Sequence, residues 1–157
     1  MERILEIEKR NFNICFQMFR NIVEDYPNMY WNEKVGGFVS WQQFIHVFSG
    51  ISYWMKSRET ECTNPFEGKQ IFSELESEPI DHINKEEIVD YMEKTSVQVL
   101  GYFEKRTDDW LIEKSIVDEK YTHLDIINMQ IRHIQYHLGY FESFLRERGL
   151  KTQVWID

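Results

Sequence analysis

The chain has 157 residues, 42% of them hydrophobic and 15% aromatic, with a formal net charge of −9 and a sequence pI near 5.1. This length and apolar content favour one folded domain over residues 1–157 and exclude a disordered chain. The acidic charge argues against nucleic acid and anionic membranes as partners, because both require a basic surface.

Cysteine content and hydropathy indicate the cellular setting. Cys15 and Cys62 are too few for a disulfide framework, and the N-terminal residues do not resemble a secretory signal. The longest uncharged stretch, residues 35–55, is interrupted by glycine, serine and glutamine, which is not the pattern of a membrane span. We therefore expect a soluble, reduced protein in the cytoplasm.

Two amphipathic helices are predicted in the N-terminal part of the chain. Apolar residues recur every three or four positions over residues 2–26, and a proline follows this first helix. Residues 28–39 carry no strand pattern and are predicted as a loop. Ser40 as N-cap, with Gln43 at the capping-box position, predicts a second helix over residues 40–58.

The second helix carries an unusual row on its polar side. This row has no charged residue, whereas a row that faces solvent normally carries lysine, glutamate or arginine. Its members are Gln42, His46, Ser49 and Tyr53. The row suits the lining of a cavity, and a sheltered surface or a dimer interface is an equally good interpretation.

Two more helices are predicted after an irregular connection. Residues 60–83 are rich in turn signals but contain enough apolar side chains to pack against the body. Capping boxes predict a third helix over residues 84–106 and a fourth over residues 122–148, with Gly149 just after its end. The tail, residues 150–157, is expected to pack back on the body. The two capping boxes pair Asn84 with Glu87 and Thr122 with Asp125.

These elements predict an all-α fold, a four-helix bundle with a long connection between the second and third helices. The sequence contains no internal repeat and no glycine-rich phosphate loop. A phosphate-binding enzyme is therefore disfavoured.

Two histidines in the predicted fourth helix have the spacing of metal ligands. His133 and His137 are four residues apart, so their rings lie one turn apart on the same side of the helix. Imidazole is the commonest protein ligand for zinc, nickel and copper. Both rings fall on the apolar side, where a polar ring needs either a hydrogen bond or a metal. The competing interpretation is a pair of core or surface histidines without a metal.

A third ligand is needed from elsewhere in the chain. His82 lies in the connection before the third helix, and His123 lies ten residues before His133, about 15 Å along the helix axis. His46 lies in the middle of the second helix, on its uncharged row, and packing of that helix beside the fourth would bring its ring opposite the pair. His46 is therefore the predicted third ligand.

This arrangement resembles the DinB-like superfamily of metal-binding four-helix bundles. The resemblance lies in His46, within Trp-Gln-Gln-Phe-Ile-His on the second helix, and in the segment Arg-His-Ile-Gln-Tyr-His-Leu-Gly on the fourth, followed by Phe-Leu-Arg and Gly149. It implies an up-down-down-up bundle in which His46, His133 and His137 hold a divalent ion, usually nickel or zinc, with one coordination position open. It also implies a homodimer, and the aromatic excess would leave side chains for its interface. Tryptophans that belong to this excess are Trp31, Trp54, Trp110 and Trp155.

Three interpretations of the histidine cluster remain open. Some relatives in the superfamily resemble metal-dependent S-transferases, which present a small thiol of the bacillithiol type to an electrophilic substrate, and metal-assisted hydrolysis suits the same site. The alternative is a non-catalytic metal-binding module with a stress-related or protein-interaction role, and the third possibility is a protein without a metal. In the enzyme, the candidate cavity-wall residues are Gln42, Ser49, Tyr53 and Gln130.

Overall fold

The computed structural model describes residues 3–58, 64–152 and 155–157. Within these ranges the chain forms four α-helices, which confirms the predicted all-α helical fold. Two short 3₁₀ helices, Asn28–Tyr30 and Asp108–Ile112, lie in the connections. The α-helices are α1 (Ile4–Asp25), α2 (Ser40–Trp54), α3 (Lys85–Phe103) and α4 (His123–Glu147).

A two-stranded hairpin lies between α1 and α2, where the sequence predicts only a loop. Strands β1 (Lys34–Val35) and β2 (Phe38–Val39) pair antiparallel, with Val35 opposite Phe38. Gly36 and Gly37 join the strands with φ angles of +59° and +95°. A two-residue turn of the type that matches strand twist requires two positive φ angles, which glycine adopts freely. The loop prediction is wrong here because two-residue strands are too short to show alternation.

The predicted capping box at the start of α2 is also wrong. Val39 is the N-cap, and Ser40 is the first helical residue. The Ser40 hydroxyl is fully buried and instead contacts the carbonyl oxygens of Tyr30 and Glu33 at 3.2 and 2.9 Å and the Tyr26 hydroxyl at 2.8 Å. A buried hydroxyl needs hydrogen-bond partners, and here tertiary partners take the place of the helix backbone.

The starts of α3 and α4 and the end of α4 agree with the sequence prediction, whereas α3 ends at Phe103 instead of residue 106. Asn84 caps α3 in a reciprocal box with Glu87, and Thr122 caps α4 in the same way with Asp125. Gly149 follows α4 with a φ of +68°, the conformation expected after a helix C-terminus. These local signals therefore fix where the helix that carries His133 and His137 begins and ends.

An aromatic cluster in the core holds α1, α2 and α4 together. Phe44 of α2 stacks on Phe141 of α4 with ring centroids 4.5 Å apart, and Phe19 of α1 packs edge-on against both, at 5.9 and 6.2 Å. Aromatic pairs in these geometries add about 0.5–1.5 kcal/mol beyond the burial of their area. Phe44 lies two residues before His46 and Phe141 one turn after His137, so this cluster sets the register between the histidine-bearing helices.

The connection before α3 packs against the body, as predicted, over residues 64–84. Phe66 and Ile71 are buried. The buried amide of Gln42 donates to the carbonyl oxygens of Ile71, Phe72 and Ser77 at 3.0, 2.9 and 2.8 Å. Gln42 therefore anchors this connection across α2.

The aromatic surface expected for a dimer is smaller than the sequence indicates. Trp31 and Trp110 are each 5% exposed and belong to the core, and Trp54 packs partly against it. In the tail, Ile156 packs against the body, whereas Trp155 is 70% exposed. Val154, also expected to pack, lies outside the described residues.

Across the described ranges, no helix combines the length and the apolar character that a bilayer crossing requires.

Candidate metal centre

His46, His133 and His137, the three predicted ligands, lie together in the structure. Their ring centroids are 4.8, 5.1 and 5.0 Å apart in pairs, so they form a nearly equilateral triangle. One nitrogen atom from each ring lies within 4.8 Å of the other two. The prediction that α2 would place His46 opposite the pair on α4 agrees with this geometry.

A backbone carbonyl orients His46. Its Nδ1 atom lies 2.8 Å from the carbonyl oxygen of Ser73, in the connection before α3. A carbonyl oxygen can only accept, so Nδ1 carries the proton and donates. The Nε2 atom of His46 therefore carries a lone pair, and this nitrogen points toward His133, at 3.0 Å from its Nε2.

Gln43, which is hydrogen-bonded to the hairpin, orients His137. The amide nitrogen of Gln43 donates to the carbonyl oxygens of Val35 and Phe38, the latter at 3.3 Å. This fixes the amide so that its Oε1 atom faces His137, whose Nδ1 lies 3.0 Å away and donates to it. His137 is 4% exposed, and its Nε2 lone pair is left for another partner.

His133 lies against α2 at a glycine. A Cβ atom on Gly50 would come within 3.1 and 3.2 Å of Cε1 and Nδ1 of the His133 ring. Gly50 lies one turn after His46 in the middle of α2, where glycine costs about 1 kcal/mol relative to alanine. The missing side chain therefore gives the His133 ring room between the two helices.

Burial keeps two of the rings neutral. It lowers the pKa of His133 to about 4, with His46 as a second cause, and that of His137 to about 3, with His133 and His46 adding to the effect. A neutral imidazole is the form that binds a metal. At neutral pH each of these two rings therefore has one unprotonated nitrogen.

The chemistry of the donor set fits a divalent transition metal. Imidazole nitrogen suits zinc, nickel, copper and iron, whereas magnesium and calcium prefer oxygen ligands. Two of the three Nδ1 atoms donate to oxygen acceptors, the usual arrangement behind a metal-binding histidine. Nitrogens bound to one zinc ion at 2.0–2.1 Å and at tetrahedral angles lie about 3.3 Å apart. The 3.0 Å separation of the Nε2 atoms of His46 and His133 is close to this distance.

One edge of the cluster is open to solvent. His46 and His133 are both only partly buried. Tyr136, which is 61% exposed, packs edge-on against His137 with ring centroids 5.2 Å apart, and its hydroxyl lies 2.8 Å from that of Tyr140. This pair of phenol groups forms one side of the rim. His46 and His133 are therefore the two members of the cluster that solvent reaches most.

The other two histidines lie outside the cluster, as predicted. His82 is exposed and packs against Trp41 with ring centroids 5.8 Å apart. His123 is buried against Trp110, with ring centroids 4.1 Å apart, and its Nδ1 lies 2.8 Å from the Tyr102 hydroxyl. Burial, with Arg106 as a second cause, lowers the pKa of His123 to about 4.

The proposed cavity-wall residues have different roles in the structure. Gln42 is 1% exposed, and its amide nitrogen anchors the connection before α3. Tyr53 is 48% exposed and packs against Trp54. Ser49 is partly buried. Gln130 is 1% exposed and lies beside the cluster, where its Oε1 atom has no hydrogen-bond partner among the described residues.

Sequence reasoning missed three groups that support the cluster: the Gln43 amide, the Ser73 carbonyl and Gly50. Gln43 is one turn before His46, and a neutral amide beside a candidate ligand could have indicated a supporting role. A glycine inside a helix pattern could have indicated a close approach at Gly50. A backbone carbonyl leaves no mark in the sequence, so the part played by Ser73 requires the structure.

Two cavities of several hundred Å³ lie away from the histidines. One of about 710 Å³ lies between α1, the end of α4 and the tail, and is lined by Ile22, Leu145 and Trp155 among others. Another, of about 420 Å³, includes Cys15. Burial raises the pKa of the Cys15 thiol, which accepts a hydrogen bond from Gln135 at 3.5 Å. A protonated, buried thiol is a poor nucleophile, so Cys15 does not give this second cavity a reactive group.

Comparison of the chain with protein-family models, with curated proteins and with solved structures finds no match. The functional assignment therefore depends on the geometry of the histidine cluster.

Proposed function

We propose that this protein binds one divalent transition-metal ion, nickel or zinc, through His46, His133 and His137. The observation that carries the proposal is the orientation of the rings. His46 and His137 each donate their Nδ1 proton to an oxygen atom behind the ring, so their Nε2 lone pairs remain for an ion. One nitrogen atom from each of the three rings also lies within 4.8 Å of the other two, the convergence that binding to a single ion requires.

An open coordination position is part of the proposal. Three protein ligands with a free position are typical of a catalytic metal, whereas structural zinc is closed by four ligands. Among the described residues the cluster contains no carboxylate and no thiolate, so the charge of a bound divalent ion would not be neutralised by its ligands. An anionic molecule that enters past Tyr136 would be favoured for this reason.

We propose as the activity the transfer of a small thiol, of the bacillithiol type, to an electrophile. A bound divalent ion would lower the pKa of the thiol and hold its sulfur in place. The chain itself would bind the thiol at the open edge of His46 and His133, and the rim of Tyr136 and Tyr140 would lie beside the electrophile. The uncharged donor set and the partly exposed rings support this activity over metal storage.

A non-catalytic metal-binding module is the second candidate. No aspartate or glutamate joins the three histidines in the described part of the chain, so the cluster itself holds no carboxylate general base. Thiol transfer does not require such a base, whereas hydrolysis by a bound water usually benefits from one. This observation disfavours metal-assisted hydrolysis and leaves a stress-related or protein-interaction role as the alternative to transfer.

The DinB-like up-down-down-up topology and the homodimer belong to the same proposal. The helical fold and the order of the histidines along the chain support the family assignment. Sedimentation velocity of the purified protein tests the dimer: a single species of twice the 19.2 kDa chain mass is expected, and a monomer would contradict it.

Metal titration tests the site. The purified protein is stripped with a chelator, titrated with Zn²⁺ or Ni²⁺ in a calorimeter, and compared with His133→Ala. We expect one equivalent of tightly bound metal in the unaltered protein and its loss in the variant. His82→Ala is the matched control, since His82 is exposed and outside the cluster, and it should bind like the unaltered protein. Absence of stoichiometric binding in the unaltered protein would overturn the proposal.

Activity is tested separately on the metal-loaded protein. Consumption of an electrophile such as a haloaromatic compound is followed with bacillithiol, glutathione and cysteine as thiols. We expect transfer that depends on both the metal and His133. A protein that binds metal but transfers none of these thiols would support the non-catalytic module.

A further inference from the structure

We propose that Gln130 is a positioning residue for the metal centre, whose Oε1 atom accepts the Nδ1 proton of His133 when a metal ion is bound. This inference rests on the proposed metal-binding function. It extends that function to His133, the one ligand whose Nδ1 atom has no oxygen acceptor among the described residues.

The three ligands differ in how they are supported. The Nδ1 atoms of His46 and His137 donate to oxygen atoms, the Ser73 carbonyl at 2.8 Å and the Gln43 amide oxygen at 3.0 Å. Nδ1 of His133 makes no such bond to the described residues. Metal-binding histidines almost always donate their second nitrogen to an oxygen acceptor, so one acceptor is missing from the set.

Gln130 supplies an oxygen atom without a partner at that place. Its side chain is 1% exposed, and its Oε1 atom has no hydrogen-bond partner among the described residues. A buried amide oxygen left unpaired is uncommon and calls for an explanation. Gln130 lies on α4 one turn before His133, so the two side chains are neighbours on the helix surface.

Both atoms lie beside Gly50. The position that a Cβ atom would take on Gly50 is 3.2 Å from Nδ1 of His133 and 3.6 Å from Oε1 of Gln130. Both atoms therefore lie next to the position that the missing side chain of Gly50 leaves empty.

The proton positions explain why the oxygen is unpaired in this structure. Since His46 carries its proton on Nδ1, its 3.0 Å contact with Nε2 of His133 is a hydrogen bond only if His133 carries its proton on Nε2. His133 then has no proton on Nδ1 to donate. When Nε2 of His133 uses its lone pair for a metal, the ring keeps one proton, which moves to Nδ1. That nitrogen then becomes the donor that Gln130 Oε1 lacks.

The variant Gln130→Met tests this role, because methionine keeps the length of the side chain and removes the acceptor. We expect its affinity for Zn²⁺ to be about 10–100-fold lower than that of the unaltered protein, the usual effect of losing a partner behind a ligand. Gln130→Glu keeps an oxygen acceptor at this position, so its Zn²⁺ affinity should be higher than that of Gln130→Met. Gln98→Met is the matched control, since Gln98 donates to backbone carbonyls of Ser52 and Met55 away from the histidines, and it should bind Zn²⁺ normally.

A second measurement needs no variant. Nitrogen–proton correlation spectra of the zinc-loaded, unaltered protein report which nitrogen of His133 carries the proton. A proton on Nδ1 in slow exchange with solvent supports the proposal, even if Gln130→Met does not fold. A His133 proton that exchanges as fast as that of the exposed His82, or Zn²⁺ affinity unchanged in a folded Gln130→Met, would overturn it. Failure of the unaltered protein to bind Zn²⁺ would instead overturn the proposed function.

Discussion

Two regions of this molecule bury histidine, and they do so in opposite ways. His123 is enclosed by Trp110 and by the hydroxyl of Tyr102, which lies 2.8 Å from its Nδ1 atom. In the cluster of His46, His133 and His137, the oxygen partners lie behind the rings and the remaining nitrogens face one another. Burial lowers the pKa of histidine in both regions. The convergence of nitrogens from three rings, rather than burial, therefore distinguishes a candidate metal centre from a packed core.

The paired variants His46→Ala and His123→Ala should separate the two regions most strongly. His46→Ala removes a ligand, so Zn²⁺ affinity should fall by more than about 100-fold, beyond the 10–100-fold effect of losing a supporting partner. His123→Ala removes a ring that stacks on Trp110, so the free energy of unfolding should fall by about 2–4 kcal/mol with Zn²⁺ affinity unchanged. Calorimetric titration and urea unfolding measure both quantities. Equal effects of the two variants on Zn²⁺ affinity would refute the distinction.

Gln43→Met should lower the Zn²⁺ affinity of the cluster, because it removes the hydrogen-bond acceptor of His137 Nδ1. The substitution removes the oxygen that accepts from His137 and leaves the carbonyl of Val35 without its donor. We expect Zn²⁺ affinity to fall by about 10–100-fold and the chain to be less stable by about 1–3 kcal/mol. Titration and thermal unfolding check these values. Loss of stability with unchanged affinity would mean that Gln43 only holds the hairpin.

Gly50→Ala should change Zn²⁺ affinity less than Gln43→Met does, and its two effects on stability oppose each other. Alanine is favoured over glycine in a helix by about 1 kcal/mol, but here its Cβ atom would lie 3.1 Å from the His133 ring. We expect little or no gain in stability and a fall in Zn²⁺ affinity on the order of threefold to tenfold, less than for the loss of a partner.

Gly101→Ala is the control for that variant. Gly101 lies in α3, and a Cβ atom there would meet nothing within 4 Å. This variant should gain about 0.5–1 kcal/mol in stability without any change in Zn²⁺ affinity. A similar gain in Gly50→Ala, with normal Zn²⁺ binding, would show that His133 does not need the space.

The pH dependence of stability should give the smallest effect among these tests of the two histidine regions. Its measurement requires no metal. The pKa of His123 is about 4 in the folded chain and near 6.5 in the unfolded chain, so the unfolded state binds the proton first as the pH falls. The free energy of unfolding of the chelator-treated protein should therefore decrease between about pH 6.5 and pH 4. His123→Phe should reduce this slope by at most one proton, measured by urea unfolding across that range. A slope unchanged in a folded His123→Phe would show that His123 does not contribute.

The sequence predicts the ligands better than the groups that support them. Helical periodicity fixes the relative directions of His133 and His137, and an uncharged row marks the side of α2 that carries His46. The pattern of Ser40 and Gln43 predicts a helix cap, but a serine followed three residues later by glutamine looks the same in a sequence when tertiary partners bind the hydroxyl. Such partners depend on how distant segments pack, which a local pattern does not contain.

X-ray absorption spectroscopy of the zinc-loaded protein tests the three-histidine centre most directly. We predict three imidazole nitrogens at about 2.0–2.1 Å from zinc, and two in His46→Ala. Sulfur at about 2.3 Å, or a first shell without imidazole, would contradict this assignment.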